Sequence, residues 1–409
     1  MPRAGDGAAR DPDLSSIHVS VDDRAHLLRG VRVLDAGSFI AAPLAAALLG
    51  DWGADVVKLE PLAGDASRGV GDCAAPGMSA TFLACNRGKR SIALDYRSAS
   101  GRAVVRDLAA ACDVVIHNLP PAVARRIGLD HPSLLERRAD AVLCTVTAFG
   151  DDGPYAGRTA LDPIIQAMSG LAAATGEPDG APMRCGAPVI DTATAFAAAA
   201  VVLAALHARD GGGVEASVSL LDVALAAQGP LLATRSLLGE PPPRRGNASY
   251  ATLGDQLATA DGLLAFVVWD DRRWRALCAL LDLEAVAEDP RFATNAARCE
   301  HQDDLRALLQ PRFAARPGRT LERLLLHAGI ACAVTQDLDA VVADPHVRAS
   351  GALVREQRVG GASLDLPAGP ARVGHRRPRA PARPPRLGEH TDELLAELAN
   401  ARPTEVPAP

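Results

Sequence analysis

The chain has 409 residues, with 43 lysines and arginines against 49 aspartates and glutamates, and so carries a formal net charge of −6. Hydrophobic residues make up 48% and charged residues 22%, a balance that excludes disorder over most of the length. The length predicts two or three domains, or one large α/β domain with an insertion. The mild acidity, without a basic stripe, argues against a nucleic-acid partner.

Arginine supplies nearly all of the positive charge, because Lys58 and Lys89 are the only lysines. Together with the abundance of alanine, this bias is typical of a GC-rich bacterial genome. Clusters of arginine are therefore weak indicators of a binding site in this chain.

The cysteines and the apolar segments predict a cytoplasmic protein. Eight cysteines are scattered without a CxxC pair or a Cys/His spacing suited to zinc, which predicts small buried side chains and no metal site. The N-terminal residues lack the apolar core of a secretory signal. The longest nearly apolar stretch, residues 193–206, is shorter than the ~20 residues of a membrane span, so we expect a buried helix and no membrane association.

Along the first half of the chain, strand-like and helix-like segments alternate. Residues 1–24 are polar and are predicted to form a flexible tail. The strands that follow are apolar throughout, which is typical of a parallel sheet covered on both faces. The fold predicted is therefore α/β, with a Rossmann-like, doubly wound parallel sheet. Its predicted strands are residues 30–38, 54–60, 91–96, 113–118 and 141–149, and its helices include residues 43–52 and 99–111.

The pattern changes in the second half of the chain. A glycine turn, a strand and a helix are predicted over residues 211–225, followed by a turn-rich segment, a strand at residues 263–269 and mostly amphipathic helix to residue 327. The predicted organisation is a large domain at residues 25–225, an inserted smaller α+β domain at residues 226–328, and a return segment at residues 329–409 that completes the large domain through an extended strap (residues 375–386) and a C-terminal helix (residues 391–399).

Several cofactor motifs are missing from the sequence. The turn after the first strand reads AGSFIAAP rather than GxGxxG, so the backbone lacks the glycines that let a dinucleotide pyrophosphate approach. The sequence also has no Walker A loop, GxSxG elbow or HExxH helix. A nicotinamide enzyme is therefore disfavoured.

Two aspartates are candidates for chemistry, and each also has a structural explanation. Asp179 lies in TGEPDGAP, where Pro-Asp-Gly is a common β-turn, but a carboxylate on such a loop can also attack an acyl carbonyl. Asp162 precedes Pro163, a pattern typical of a helix N-cap followed by proline in the first turn. On local sequence alone, the structural explanation is favoured for both.

Basic residues near the predicted strand ends are the other candidates. His117 follows an apolar strand and His131 precedes a proline, and a structural role is favoured for both. Arg125 and Arg126 end a short helical segment soon after that strand, where a pair of guanidinium groups suits phosphate.

Taken together and in order, the motifs resemble those of the family III CoA-transferases, the formyl-CoA transferase-like (CaiB/BaiF) enzymes. The likeness extends from about residue 30 to residue 395, nearly the whole chain. The motifs that carry it are GVRVLDAGSFIAAPLAAALLGDWGADVVKLEP, GDASRG, NRGKRSIALDYRS, ADAVLCTVTAFGDDGPYAGR, DPIIQAMSGLAAATGEPDGAP, RRGN, ATADG, DPRF, GIACAV, ADPHV and LGEHTDELL.

The resemblance implies an enzyme that moves coenzyme A from an acyl-CoA donor to a small carboxylic acid through an aspartyl covalent intermediate. It implies that Asp179 is the nucleophile, that two subunits form an interlocked homodimer, and that acyl-CoA is a substrate while no metal or redox cofactor is needed. Residues 244–256 are the candidate cover over the reacting groups. The coenzyme A-binding positions implied are Leu94, Asp95, Tyr96, Arg97, Asn118, Leu119 and Arg126.

The chain also departs from the formyl-CoA transferases. Ile40 stands in place of a glutamine, Pro61 in place of an arginine and Thr147 in place of a lysine, and residues 248–250 replace a run of glycines. These departures predict an acyl group other than formyl or oxalyl, and a larger one.

Two other functions remain open at this point. The α-methylacyl-CoA racemases share the fold, and their catalytic aspartate matches Asp162, but Leu161 stands where they have a histidine. A non-catalytic acyl-CoA-binding protein is the second alternative. The presence of Asp179 and Arg126 favours the transferase over both.

Overall fold

The computed structural model describes residues 26–249, 251–357, 363–373, 375, 377 and 383–401. The tail predicted at residues 1–24, Tyr250 and half of the predicted strap lie outside the described residues. Backbone contacts divide the chain into two units. The first unit contains Met1–Thr145, Ala198–Ala216 and Gly351–Pro409, and the second contains Val146–Ala197 and Ser217–Ser350.

The strands form a six-stranded sheet, a three-stranded sheet and two hairpins. In chain order they are β1 (Arg32–Asp35), β2 (Asp55–Glu60), β3 (Cys73–Ala75), β4 (Met78–Ser79), β5 (Arg90–Ala93), β6 (Val114–His117), β7 (Val142–Thr147), β8 (Val214–Ser219), β9 (Leu253–Ala258), β10 (Leu263–Val268), β11 (Ala331–Val334), β12 (Leu353–Gln357) and β13 (Ser363–Pro367).

Helices connect most of these strands, and short 3₁₀ turns occur at Ala66–Gly69, Arg209–Gly211 and Pro290–Phe292. In chain order the α-helices are α1 (Ala41–Asp51), α2 (Ala80–Cys85), α3 (Ala99–Ala110), α4 (Pro121–Ile127), α5 (His131–Leu135), α6 (Asp162–Met168), α7 (Leu171–Ala174), α8 (Val189–Ala208), α9 (Leu220–Ala227), α10 (Gly229–Leu238), α11 (Asp271–Leu280), α12 (Glu284–Ala287), α13 (Asn295–Glu300), α14 (Gln302–Ala314), α15 (Gly318–His327), α16 (Leu338–Ala343), α17 (Pro345–Ala349) and α18 (Thr391–Ala401).

The large sheet has the strand order β5-β2-β1-β6-β7-β8. Parallel pairing joins β1 to β2 and to β6, β2 to β5, and β6 to β7. When these six strands are renumbered in chain order, the order is 3-2-1-4-5-6, that of a Rossmann fold. The second and third strands are added on one side of β1 and the next three on its other side, so the strand order reverses between β1 and β6. The predicted parallel sheet is confirmed, and ligands of such sheets bind beyond the carboxyl ends of the strands at this reversal.

The sheet forms where the sequence is apolar and β-branched. Val33 and Leu34 of β1 and Val115 of β6 are fully buried, as expected for strands covered on both faces. Serine N-caps start the helices that follow. The Ser98 hydroxyl accepts from the amide of Gly101 at the start of α3, and the Ser79 hydroxyl serves α2 in the same way.

A three-stranded antiparallel sheet, β11-β10-β9, lies in the second unit. Alternate residues of β10 are buried, among them Leu264 and Phe266, so one face of the sheet packs on the core of this unit. The core also contains Trp274 of α11 and Phe313 of α14, both at most 1% exposed. The amphipathic helices predicted between residues 271 and 327 are α11 to α15, and they cover this sheet.

The division between the units differs from the predicted one in two places. β11 pairs with β10, so Ala331–Val334 completes the small sheet and is not the start of a return segment at residue 329. Val146–Ala197, which was predicted to lie in the large domain, groups with the second unit instead. Both differences arise from long-range pairing that local patterns do not encode.

Helix α8 is longer and more exposed than predicted. It extends over 20 residues, and Phe196 and Leu203 are 44% and 41% exposed, so the expected buried helix is buried on one side only. Among the described residues α8 is the one helix that is long and apolar enough to cross a membrane, judged by length and composition only. Of its most apolar 18-residue stretch, 39% is buried inside the protein.

The C-terminal helix is confirmed as α18. Leu394 is 1% exposed and belongs to the same core cluster as the strands of the large sheet. Arg90 of β5 forms ion pairs with Glu393 and Glu397 of this helix, at 2.8 and 2.5 Å. The end of the described chain is thereby fixed against the outer strand of the sheet.

Candidate active site

Asp179 lies at the tip of a tight turn between α7 and α8. The amide of Gly180 donates to the carbonyl of Glu177 at 3.1 Å, which closes a β-turn with Pro178 and Asp179 at its centre. The Asp179 side chain is exposed and has no hydrogen-bond or ion-pair partner among the described residues. The predicted turn is confirmed, and its carboxylate has both oxygens available for chemistry.

The turn is fixed at its base by the backbone. Gly176 has φ of +114°, a conformation that side chains other than glycine rarely adopt, and a Cβ there would lie 3.2 Å from the carbonyl oxygen of Ala181. The amide of Met183 lies within hydrogen-bonding distance of the carbonyls of Ala172 and Thr175. Glycine at position 176 is therefore required for the chain to enter and leave this turn.

Asp162 caps a helix, but not the helix that the sequence indicated. It is the first residue of α6 and makes no capping bond there. One carboxylate oxygen instead accepts from the amides of Ile190 and Asp191 at 2.8 and 3.0 Å, in the first turn of α8. The other accepts from the side chain of Gln166 at 2.5 Å. The predicted N-cap role at α6 is wrong because α8, distant in sequence, offers two free amides to this buried carboxylate.

Asp191 lies next to Asp162 at this helix start. Burial, reinforced by the negative charge of Asp162, raises the pKa of Asp191 to about 7. The Asp162 carboxylate itself accepts three hydrogen bonds. Asp191 is therefore the member of the pair that holds a proton below about pH 7.

Gln166 connects this helix start to the segment that carries Asp179. Its amide nitrogen donates to Asp162, and its amide oxygen accepts from the backbone of Cys185 at 2.9 Å. Gln166 is 1% exposed. The loop after the Asp179 turn is thus hydrogen-bonded to a buried side chain before α8 begins.

Asn118 lies in the first unit, where the strand order of the large sheet reverses between β1 and β6. Its side-chain oxygen accepts from the amide of Ser38 and its nitrogen donates to the carbonyl of Ser38, both at 2.9 Å. The residue follows β6 and Ser38 follows β1, so one side chain bridges the two strand ends. Asn118, predicted to contact coenzyme A, therefore also sets the geometry of the crevice where ligands of this fold bind.

Four predicted coenzyme A positions form the turn between β5 and α3. Asp95 and Arg97 are exposed, and a carboxylate oxygen of Asp95 accepts from the backbone of Arg97 at 3.1 Å. Burial raises the pKa of Tyr96, while the positive charges of Arg97 and Arg126 act in the opposite direction. The structure thus places both Arg97 and Arg126 within electrostatic range of Tyr96. The hydrophobic members, Leu94 and Tyr96, pack against the core of the sheet.

Arg126 lies in the last turn of α4, after β6. Like its neighbour Arg125, it is exposed and has no hydrogen-bond or ion-pair partner among the described residues. Arg126 and Arg97 both act on Tyr96, so two positive charges lie near this side chain, a setting that suits phosphate groups. Leu119 lies between β6 and α4 and packs on the sheet core.

Both lysines of the chain are buried beneath the turn after β1, a feature that the sequence analysis missed. The ammonium of Lys58 lies 2.8 Å from a carboxylate oxygen of Asp65 and donates to the carbonyl of Gly37 at 2.5 Å. Lys89 lies 2.7 Å from Asp35. Burial acts to lower the pKa of Lys58, but the charges of Asp35 and Asp65 outweigh it and raise the pKa above its ordinary value.

This ion network supports a strained turn. Phe39 has φ of +67°, in the left-handed region that favours glycine. Ser38 donates to Asp65 through its hydroxyl at 2.9 Å, and the same Asp65 is paired with Lys58. Two lysines in an otherwise arginine-rich chain, Lys58 within β2 and Lys89 directly before β5, were the signal that would have revealed the network.

The histidines and cysteines behave mainly as structural residues. His117 is 2% exposed, accepts from the amide of Leu119 and lies 3.1 Å from the carbonyl of Leu129; burial lowers its pKa, so it is neutral. Among the described residues no group of three or more histidines, cysteines, aspartates or glutamates is arranged to hold a metal ion. All eight cysteines are free; Cys73 and Cys185 are exposed, contrary to the expectation of burial.

A cavity of about 870 Å³ lies in the first unit beside the β3–β4 hairpin. Its lining includes two buried charges, Asp65 and Arg68. The Arg68 guanidinium is already paired with Glu60 at 2.6 Å and lies 3.7 Å from the ring centre of Phe82. The predicted coenzyme A positions do not line it among the described residues. The cavity is therefore not assigned to coenzyme A.

Comparison with known proteins identifies the family. Residues 28–391 match the profile of the family described as CoA-transferase family III. The chain is 35% identical over 390 residues to the succinate–glutarate CoA-transferase of Agrobacterium fabrum, covering 93% of this chain and 98% of that protein. It is 30% identical over 376 residues to the succinyl-CoA:glutarate CoA-transferase of Mus musculus, covering 91% and 86%.

A solved structure agrees with the sequence comparisons. The crystal structure of a CaiB/BaiF family protein from Brucella suis superimposes with a TM-score of 0.80 at 33% identity, over 90% of this chain and 98% of that one. The similarity therefore covers both units of the chain rather than the sheet alone. The chain belongs to the CoA-transferase family III.

Proposed function

We propose that this CoA-transferase works through a covalent intermediate on Asp179, with short dicarboxylic acids as donor and acceptor. The observation that carries the proposal is the state of Asp179. Its carboxylate is exposed and unpartnered within the described residues, at the tip of a turn whose base is fixed by Gly176 and Met183. A nucleophile needs this combination of free lone pairs and a fixed position.

The proposed reaction balances without any further reagent. Asp179 attacks the thioester carbonyl of the donor, the C–S bond breaks, and an aspartyl acyl anhydride and the coenzyme A thiolate form. The thiolate attacks the aspartyl carbonyl, which releases the donor acid and leaves a thioester on Asp179. The acceptor carboxylate attacks this thioester to form a second anhydride, and the freed thiolate then takes the acceptor acyl group and restores Asp179. No atom changes oxidation state, so no redox cofactor is required.

The dicarboxylate class is suggested by the relatives. The proteins of Agrobacterium fabrum and Mus musculus are named for succinate or succinyl-CoA and for glutarate. The sequence departures at Ile40, Pro61 and Thr147 also favour an acyl group larger than formyl. Succinyl-CoA and glutarate are therefore the first donor and acceptor to test.

The surroundings of Asp162 argue against the racemase alternative. Its carboxylate is 3% exposed and accepts three hydrogen bonds, two of them from the start of α8. A general base for an α-proton needs an accessible lone pair, and the neighbouring position holds Leu161, which cannot exchange protons. The exposed carboxylate of Asp179 likewise favours an enzyme over a non-catalytic binding protein.

We also propose that the enzyme is a cytoplasmic homodimer. Helix α10 has no buried residue in the single chain, and Leu237 is 85% exposed. Together with the exposed apolar side chains Phe196 and Leu203 of α8, it offers surface that a second copy would cover.

The proposal is tested by measuring transfer of coenzyme A from succinyl-CoA to a panel of carboxylic acids, with separation of the thioester products. We expect glutaryl-CoA to form, and we expect D179A and D179N to lower kcat by about a thousandfold. D152A, which changes another exposed aspartate of the second unit, serves as the control. Full activity of D179A would overturn the assignment, and exchange of the α-proton with solvent deuterium without transfer would favour the racemase.

A further inference from the structure

A short segment of the second unit, residues 244–246, forms hydrogen bonds with the backbone on both sides of Asp179. The Nε of Arg244 donates to the carbonyl of Glu177 at 3.2 Å. Its Nη2 donates to the carbonyl of Gly180 at 2.6 Å and lies 3.4 Å from that of Pro178. One guanidinium therefore spans the turn from the residue two positions before Asp179 to the residue after it.

The backbone next to Arg244 lies against the same turn. The amide of Gly246 donates to the carbonyl of Gly176 at 3.0 Å. Gly246 has φ of +59°, and a Cβ at this position would lie 2.7 Å from a carboxylate oxygen of Glu177. Only glycine allows this close approach without displacing the Glu177 side chain, so residues 244–246 are shaped to dock on the turn.

The turn needs this external support. Within residues 177–180 it is closed by a single backbone hydrogen bond, from Gly180 to Glu177, and all four residues are exposed. A nucleophile displaced by about 1 Å can lose ~10²-fold in rate. The planar fork of arginine is preorganised for several acceptors at once, whereas the ammonium of lysine is a compact point donor on a flexible stem.

We propose that Arg244 is a positioning residue that fixes the Asp179 turn in its reactive geometry, with Gly246 allowing the segment to approach. The inference rests on the proposed function, since it concerns the turn that carries the nucleophile. It also changes the role expected for residues 244–256, because the first three of them support the turn rather than cover it.

The test compares R244Q, R244K and the control R323Q in the full-length protein. Arg323 is an exposed arginine of α15 in the second unit, and its side chain has no partner among the described residues. We expect R244Q to lower kcat by ~10- to 100-fold, with the KM for acyl-CoA changed less than ~3-fold, because acyl-CoA binding at the first-unit positions is untouched. R244K should recover part of the loss, since one ammonium can still donate to the carbonyl of Gly180. R323Q should match the parent.

A second readout separates positioning from folding. Thermal unfolding should be nearly unchanged in R244Q, while the rate at which acyl-CoA labels Asp179 in a single turnover should fall with kcat. G246A keeps the arginine but crowds Glu177, and it should lower kcat in the same direction. A parent that transfers coenzyme A and an R244Q variant that equals it in kcat would overturn the positioning role alone. A parent without any transfer would overturn the proposed function, and this inference with it.

Discussion

Asp179 and Asp162 have the same type of side chain but differ in burial and in hydrogen bonding, and the difference comes from the donors around them. Asp162 is buried and holds the first amides of α8, so its lone pairs are occupied. Asp179 is exposed, with no partner among the described residues. Local sequence favoured a structural role for both, and it could not separate them, because the donors to Asp162 come from residues 190 and 191, far along the chain.

The two arginines at the end of α4, Arg125 and Arg126, can also be distinguished by their surroundings. Arg126 and Arg97 are among the main charges that act on the pKa of Tyr96, and Arg125 is not. We expect R126A to raise the KM for acyl-CoA about 10-fold or more with a small change in kcat, because charge-assisted hydrogen bonds to phosphate are lost. Steady-state kinetics at low and high salt would measure this.

The matched control for this prediction is R125A, which removes an equally exposed, equally unpartnered guanidinium from the adjacent position. Its KM should stay near that of the parent. Equal effects of the two substitutions would mean that general positive charge, rather than a specific phosphate contact at Arg126, attracts the substrate.

At the scale of elements, the start of α8 is the feature with a measurable pH signature. The folded protein keeps a proton on Asp191 up to about pH 7, whereas the unfolded chain loses it near the ordinary value of 3.8. Between these values the folded state binds more protons than the unfolded state, so this residue makes stability fall as pH rises. Above about pH 7 Asp191 is ionised in both the folded and the unfolded state, and the full destabilisation by its buried charge remains.

Replacing Asp191 by asparagine should therefore stabilise the protein at pH 8 relative to pH 4–5. We expect the free energy of unfolding of D191N, compared with the parent, to improve by on the order of 1–3 kcal/mol across this range. Urea unfolding at several pH values would measure it. D222N, which changes an exposed aspartate in the first turn of α9, is the control and should show no such trend.

The elements themselves show which sequence signals suffice. Strands of the large sheet were predictable because they contain apolar, β-branched runs, such as the adjacent valines of β2 and the run VVI of β6. The C-terminal helix was predictable because its polar and apolar residues alternate with helical spacing. The assignment of β11 failed because a four-residue apolar strand pairs equally well with either sheet on local criteria. The contacts of Arg244 with the turn were also invisible, since they join residues more than 60 positions apart.

At the scale of the whole molecule, sequence patterns predicted the Rossmann-like sheet, and the ordered set of motifs predicted the family. They did not predict the division into units, because Val146–Ala197 belongs to the second unit through contacts that form only in the folded chain. They also overestimated the burial of α8. Its apolar composition was read as a core helix, whereas Phe196 and Leu203 face outward in the single chain.

That outward apolar surface leads to an expectation about assembly. The chain has a mass of 42.4 kDa, and we expect light scattering to give about twice this value in solution. An interlocked dimer cannot dissociate without unfolding, so the mass should stay constant on dilution to nanomolar concentration. A monomer mass, or a mass that falls with dilution, would contradict the interlocked arrangement.

The proposed mechanism requires that Asp179 becomes acylated during coenzyme A transfer. The most direct measurement is mass spectrometry of the protein after incubation with acyl-CoA and hydroxylamine, which converts an activated carboxyl group to a hydroxamate. We expect a hydroxamate at Asp179 that requires acyl-CoA and forms more slowly in R244Q. A protein that transfers coenzyme A while Asp179 remains unmodified, or that carries the hydroxamate on another carboxylate such as Glu177, would contradict it.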